Sequence, residues 1–165
     1  MEINSKRSGY CREIAEKVLR DAKMMKAPVP VNEIGRHYGF RVALLDQPPD
    51  KLSGILHHAK KAIGINKHHL LARQRFALSH ELGHYFLDHP DAGDEKLGEG
   101  GEVNRLLYEA EADEFAAELL VPRELLKAAL KEDGNIETLR LKFQVSRQVM
   151  ATQLVKHGFL MKGTA

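Results

Sequence analysis

Cysteine is nearly absent: Cys11 is the only one in 165 residues. A lone thiol excludes an intrachain disulfide and a cysteine metal cluster, and it suits a reducing compartment. Any metal must be held by histidine and carboxylate. Long apolar runs are lacking as well. The opening MEINSKRSGYCREIAEKVL scatters charge where a secretory leader would carry its apolar core, and no later run is long enough to span a bilayer. The expectation is a cytoplasmic protein without membrane contact. Internal repeats and low-complexity tracts are missing too. The formal net charge of +2 is too small to point to a partner by itself.

What is present suits one folded unit. A chain of this length that is 43% hydrophobic can bury a core of its own, so residues 1–165 read as a single domain. Charge is unevenly spread. Between Asp88 and Glu118, 11 acids (Asp88, Asp91, Asp94, Glu95, Glu99, Glu102, Glu109, Glu111, Asp113, Glu114 and Glu118) face only Lys96 and Arg105. From Ile136 onward, Arg140, Lys142, Arg147, Lys156 and Lys162 face only Glu137.

Periodicity predicts helix, then a short sheet, then helices, an α+β arrangement. Tyr10, Ile14, Val18, Ala22 and Met25 recur at helical spacing until APVPV stops the run, and VNEIGRHY is a second short helix closed by Gly39. FRVALLD, LSGILHH and KAIGIN read as a small antiparallel three-stranded sheet. Leu70 to His89 follows as one mostly buried helix ended by Pro90. The glycine-rich, acidic DAGDEKLGEGG reads as a mobile loop and a candidate lid. Helix returns in EVNRLLYEAEADEFAAELLVP. Residues 122–165 form a helical subregion whose last two helices meet at QVS, with Ser146 as N-cap, in a helix-turn-helix-like layout.

The chemistry concentrates in RFALSHELGHYFLDHP. His80 and His84 lie four apart, one above the other on a helix face, and so can grip one ion. Two imidazoles supply half of a tetrahedral zinc site; a catalytic site wants a third protein ligand and an open position for water. Zinc brings the pKa of that water to about 7. Glu81, next to the first ligand and offset around the helix, is the natural general base. The alternative reading makes both histidines ordinary packed residues, so the third ligand decides.

His89 is nearest, but nine residues from His80 it faces the opposite side of an unbroken helix. The longer HExxHxxGxxH pattern is excluded, because Leu87 and Pro90 stand where it needs glycine and histidine. EAEAD supplies a better candidate. Glu109 and Asp113 are four apart on a second helix, a spacing in which the glutamate binds zinc while the aspartate orients a ligating histidine. Glu111, about opposite Glu109 on that helix, and His89 remain the competing assignments.

RFALSHELGHYFLDH followed by EAEADEFAAELLVP resembles the ImmA/IrrE family of metallopeptidases, small zincin-like proteins marked by an HExxH helix and a helix ending in FAAxLLxP. VPVNEIGRHYGFRV and LSGILHHAKKAIGIN are similar to the family's N-terminal helix and sheet, so the likeness covers most of the chain. Val121 stands where methionine is more usual, away from any catalytic role. The resemblance implies a zincin-like fold, an intracellular metalloendopeptidase with zinc (manganese being an alternative in the cell), His80, His84 and Glu109 as ligands, Glu81 as base and Asp113 behind the ligands. It also implies a partner-protein substrate: a helix-turn-helix repressor whose cleavage or inactivation relieves repression in a stress response or mobile element.

Three further readings stand beside this one. KAIGIN, just before the HExxH helix, is expected to be the sheet edge that pairs with extended substrate. SRQVMATQLVKHG could be a recognition helix, with Arg147 and Lys156 on phosphates, which makes a non-proteolytic DNA- or repressor-binding regulator the alternative function; Val149, Met150, Leu154 and Val155 look like core instead. Among the remaining histidines, adjacent His57 and His58 point to opposite faces of a strand and cannot chelate one ion together. One of them, Tyr85 or Tyr108 is a candidate for stabilising the oxyanion.

Overall fold

The computed structural model describes residues 5–90 and 101–160. The expected lid, residues 91–101, lies outside the described residues except for Gly101, which opens a helix. Elements follow in the order α1 (Ser5–Asp21), α2 (Val31–His37), β1 (Arg41–Leu45), β2 (Gly54–His57), β3 (Ala62–Asn66), α3 (Leu71–Phe86), α4 (Gly101–Leu120), α5 (Arg123–Glu132), α6 (Ile136–Phe143) and α7 (Arg147–Lys156). The class is α+β. Helix α4 packs along both α1 and α3, and the sheet lies on α3.

The buried stripe of α1 runs through Cys11, Ala15, Val18, Leu19 and Ala22, while Tyr10 and Met25 at the ends of the expected stripe are exposed. Burial pushes the Cys11 thiol up to about 12, so it is a core side chain and not a nucleophile.

The sheet is mixed, and the antiparallel expectation is corrected. Strand order is β1-β3-β2; β1 runs parallel to β3, with Arg41 opposite Ala62, and β2 runs antiparallel to it, with Gly54 opposite Ile65. A parallel neighbour needs a long crossover, and the chain supplies one by swinging past β3, forming β2 on the far side and returning. The side chains of KHH and the preceding asparagine pin that swing. Asn66 Nδ2 donates to the carbonyls of Pro48 (3.1 Å) and Leu52 (3.0 Å), His69 Nε2 meets the Pro49 carbonyl at 2.9 Å, and Asp46 holds Lys67 at 2.8 Å and His68 at 2.7 Å. β3, expected to be an edge, is therefore central. β1 and β2 are the edges.

Helix α3 stops earlier than Pro90 suggests. After Phe86 the chain closes with Asp88 N–H on the Tyr85 carbonyl (3.2 Å) and His89 N–H on the His84 carbonyl (3.0 Å), and Asp88 takes the left-handed conformation at φ 56°. That is a Schellman turn, and it folds His89 back over the last helical turn.

Two details fix the frame around α3. Arg75, 8% exposed, donates to the carbonyls of Val29 (2.8 Å), Gln144 (3.2 Å) and Phe143 (3.5 Å), tying the α1–α2 loop and the α6–α7 turn to one helix. Ser146 caps α7 as expected, its Oγ accepting from Val149 N–H at 3.1 Å. At Gly83, α3 and α4 approach so closely that a Cβ would lie 3.2 Å from both Cα and O of Ala112 and 3.0 Å from the Phe115 ring. Ala112 contributes backbone, which cannot step aside. Gly83→Val is expected to destabilise the apo-protein by about 2 kcal/mol through overpacking; urea unfolding followed by circular dichroism checks this.

Candidate metal centre

The HExxH helix and the ExxxD helix meet across the Gly83 contact. One atom each of His80, His84 and Glu109 falls within a 4.8 Å cluster. His80 Nε2 and His84 Nε2 are 2.9 Å apart, and the Glu109 oxygens reach them at 3.2 and 3.6 Å. The same two nitrogens thus face the same carboxylate.

The other face of each ring is already engaged. His80 Nδ1 is 2.8 Å from Asp113 Oδ1 and His84 Nδ1 is 3.0 Å from His89 Nδ1, so both rings turn Nε2 toward the centre. Two imidazoles and one carboxylate converging on a solvent-reachable point form a donor set that suits a catalytic zinc and leaves room for a fourth ligand. Glu109 remains partly exposed while the two histidines are mostly covered.

Charge is unevenly shared in the metal-free centre. Burial works to lower the His80 pKa, but hydrogen bonds to Asp113 and Glu109 outweigh it and carry it up to about 9. Burial and the charge of His80 push His84 down to about 4. At neutral pH the metal-free pair therefore carries one positive charge, on His80, and His84 is the neutral ring. The hydrogen bond from His80 holds Glu109 below the usual carboxylate range.

Glu81 lies half-buried beside the ligands, and burial raises its carboxyl to about 7 against the pull of His80, with Glu109 adding to the rise. Its seat is shaped by Gly54 of β2. A Cβ there would stand 2.9 Å from Glu81 Oε1 and 3.1 Å from its Cγ. Gly54 escaped the reading of the sequence, although a glycine inside a strand is a signal of close approach.

The competing ligands are elsewhere. Glu111 and His89 bond each other, Glu111 Oε2 to His89 Nε2 at 3.0 Å, and Glu111 also pairs with Arg7 of α1. On a continuous helix His89 would face away from His80; the Schellman turn brings it beside His84 instead. Of the candidates for oxyanion stabilisation, His57 is exposed, His58 packs on Tyr85 with ring centroids 5.8 Å apart, and Tyr108 lies against His89 at 4.7 Å.

Residues 36–155 match the profile of Peptidase M78, the IrrE N-terminal-like domain. The chain belongs to this family. Membership carries the zincin-like fold. The fold of this M78 chain is also similar to that of a Mycobacterium tuberculosis transcriptional regulator, with a TM-score of 0.64 and 19% identity. The match covers 88% of the M78 chain and 46% of the regulator, so the chain spans about half of that neighbour. No curated protein is matched by its sequence. Among the described residues, no helix is long and apolar enough to cross a membrane.

Because ligation needs neutral imidazole, an ion entering this M78 centre must displace the His80 proton. Zinc binding at pH 7 is expected to release about one proton, measurable by calorimetry in buffers of different ionisation enthalpy. Affinity should rise with pH and level off above the His80 value of about 9; a pH-independent affinity would contradict the proton assignment.

Proposed function

We propose that this M78 chain is a cytoplasmic zinc-dependent endopeptidase that cleaves one specific partner, a helix-turn-helix transcriptional repressor, and thereby relieves repression. The observation that carries the reading is the convergence of His80, His84 and Glu109 on one point with Glu81 beside them. Zinc, or manganese in the cell, bound at that point supplies Lewis-acid activation of a water molecule and of the scissile carbonyl. Glu81, half-buried beside the ligands, is placed to take a proton from the water and return it to the departing amine. Asp113 fixes the His80 ring by accepting from Nδ1.

Extended substrate has a natural docking edge. β2 borders the site at Gly54, and its outer side has no strand neighbour among the described residues. Strand addition there would lay a peptide across Glu81, with backbone hydrogen bonds giving affinity. Selectivity follows from the setting, since an indiscriminate protease free among cytoplasmic proteins would be harmful. The regulator that shares the fold is in keeping with a role in transcriptional control.

The alternative, a DNA-binding regulator that reads through α7, is less well supported. Met150, Gln153 and Leu154 are buried in the core, Arg147 pairs with Glu137 at 3.3 Å, and Lys156 is engaged by Glu114. Duplex-DNA binding that weakens steeply with salt would favour it.

Two sets of variants test the enzyme reading. His80→Ala, His84→Ala and Glu109→Ala should each lose zinc by metal analysis, whereas Glu81→Gln should keep zinc and fold while losing turnover by orders of magnitude. Zinc lost from Glu111→Ala but retained by Glu109→Ala would overturn the ligand set. For the substrate, the purified chain with zinc or manganese is expected to cut a repressor encoded beside it at one or two bonds and leave casein intact, read by gel and mass spectrometry. A repressor left whole under every metal condition, together with derepression by Glu81→Gln in cells, would mean that the chain acts by binding alone.

A further inference from the structure

Behind His84 runs a buried chain of polar groups that the proposed reaction does not use. His89 is 3% exposed and Glu111 1%, both in positions where an unpartnered polar group would be costly. Hydrogen-bond direction along the chain is determined once one end is set. Glu111 takes a guanidinium hydrogen of Arg7 on Oε1, so this carboxylate is an acceptor and its Oε2 must accept from His89 Nε2–H at 3.0 Å. Neutral His89 then has a bare Nδ1, which can only accept. The proton in its 3.0 Å contact with His84 therefore sits on His84 Nδ1, and His84 Nε2 is left with its lone pair toward Glu109 and His80.

We propose that His89 is a positioning residue that locks His84 in the tautomer presenting Nε2 to the metal, and that Glu111, anchored by Arg7, locks His89 in turn. The inference rests on the metal-site reading above. It gives the two histidine ligands different supports: His80 leans on one exposed carboxylate, Asp113, and His84 on two buried groups, His89 and Glu111, anchored at the surface by Arg7 of α1. The Schellman turn is what makes the second support possible. In that motif the residue following the left-handed position usually makes an apolar contact with the last helical turn; here His89 makes a hydrogen bond to His84 in its place.

The test uses the full chain and zinc alone, with affinity measured by chelator competition and imidazole states by NMR of ¹⁵N-histidine-labelled protein. His89→Ala is expected to bind zinc ten- to a hundred-fold more weakly and to lose the single Nδ1–H signal of His84 while that of His80 stays. His89→Asn, whose amide oxygen can replace the lost acceptor, should recover most of the affinity and the His84 signal. Glu111→Gln should weaken binding several-fold. A role in packing alone would not predict rescue by the smaller asparagine or a change confined to one ring. Wild-type affinity with an unchanged His84 spectrum in His89→Ala overturns the proposal; should that variant fail to fold, the same result in Glu111→Gln overturns it. His80→Ala separates the two levels: zinc retained there removes the metal site itself, whereas zinc lost there but unaffected by His89→Ala removes only the relay.

Discussion

Everything at the candidate centre depends on how near α3 can come to α4. The candidate ligand nitrogens of His80 and His84 belong to α3 and the carboxylates of Glu109 and Asp113 to α4, and a methyl group at Gly83 would press on the backbone of Ala112. Around that contact, Leu82, Phe115, Leu119 and Leu120 are fully buried. Each such side chain contributes roughly 1.5–3 kcal/mol of burial, which is what presses the two helices together and keeps the polar cluster at its edge in register.

Position along that edge then sets the electrostatics. Glu109 and Asp113 sit one helical turn apart on α4 and bracket His80, so His80 favours the charged imidazolium and His84 the neutral ring. Glu81, on α3 next to His80 but turned toward β2, is raised by burial instead. Glu109 and Glu81, both close to one pair of rings, thus shift in opposite directions because of what each faces.

Much of this was legible in the residue spacing. HExxH and ExxxD are local patterns on regular helices, where four residues always mean the same face, so the convergence of His80, His84 and Glu109 could be anticipated, as could the cap at Ser146. What escaped depends on contacts between distant segments or on irregular backbone. Nothing local says that β1 pairs in parallel with β3, since that follows from where Asn66 and His69 tether the crossover. The same error made β3 an edge. Gly54 acquires its meaning only when β2 meets Glu81, and His89 only when Asp88 adopts a positive φ, which helical arithmetic does not contain.

Arg75 lies five residues before His80 on α3, and its guanidinium is held by three carbonyls from two other parts of the chain. Sliding or rotating α3 would leave a buried cation without acceptors, a costly state. The helix is therefore indexed, like a key in its slot, against both the N-terminal loop and the C-terminal helical pair. The entropy of aligning the His80 and His84 rings is thereby met when the chain folds.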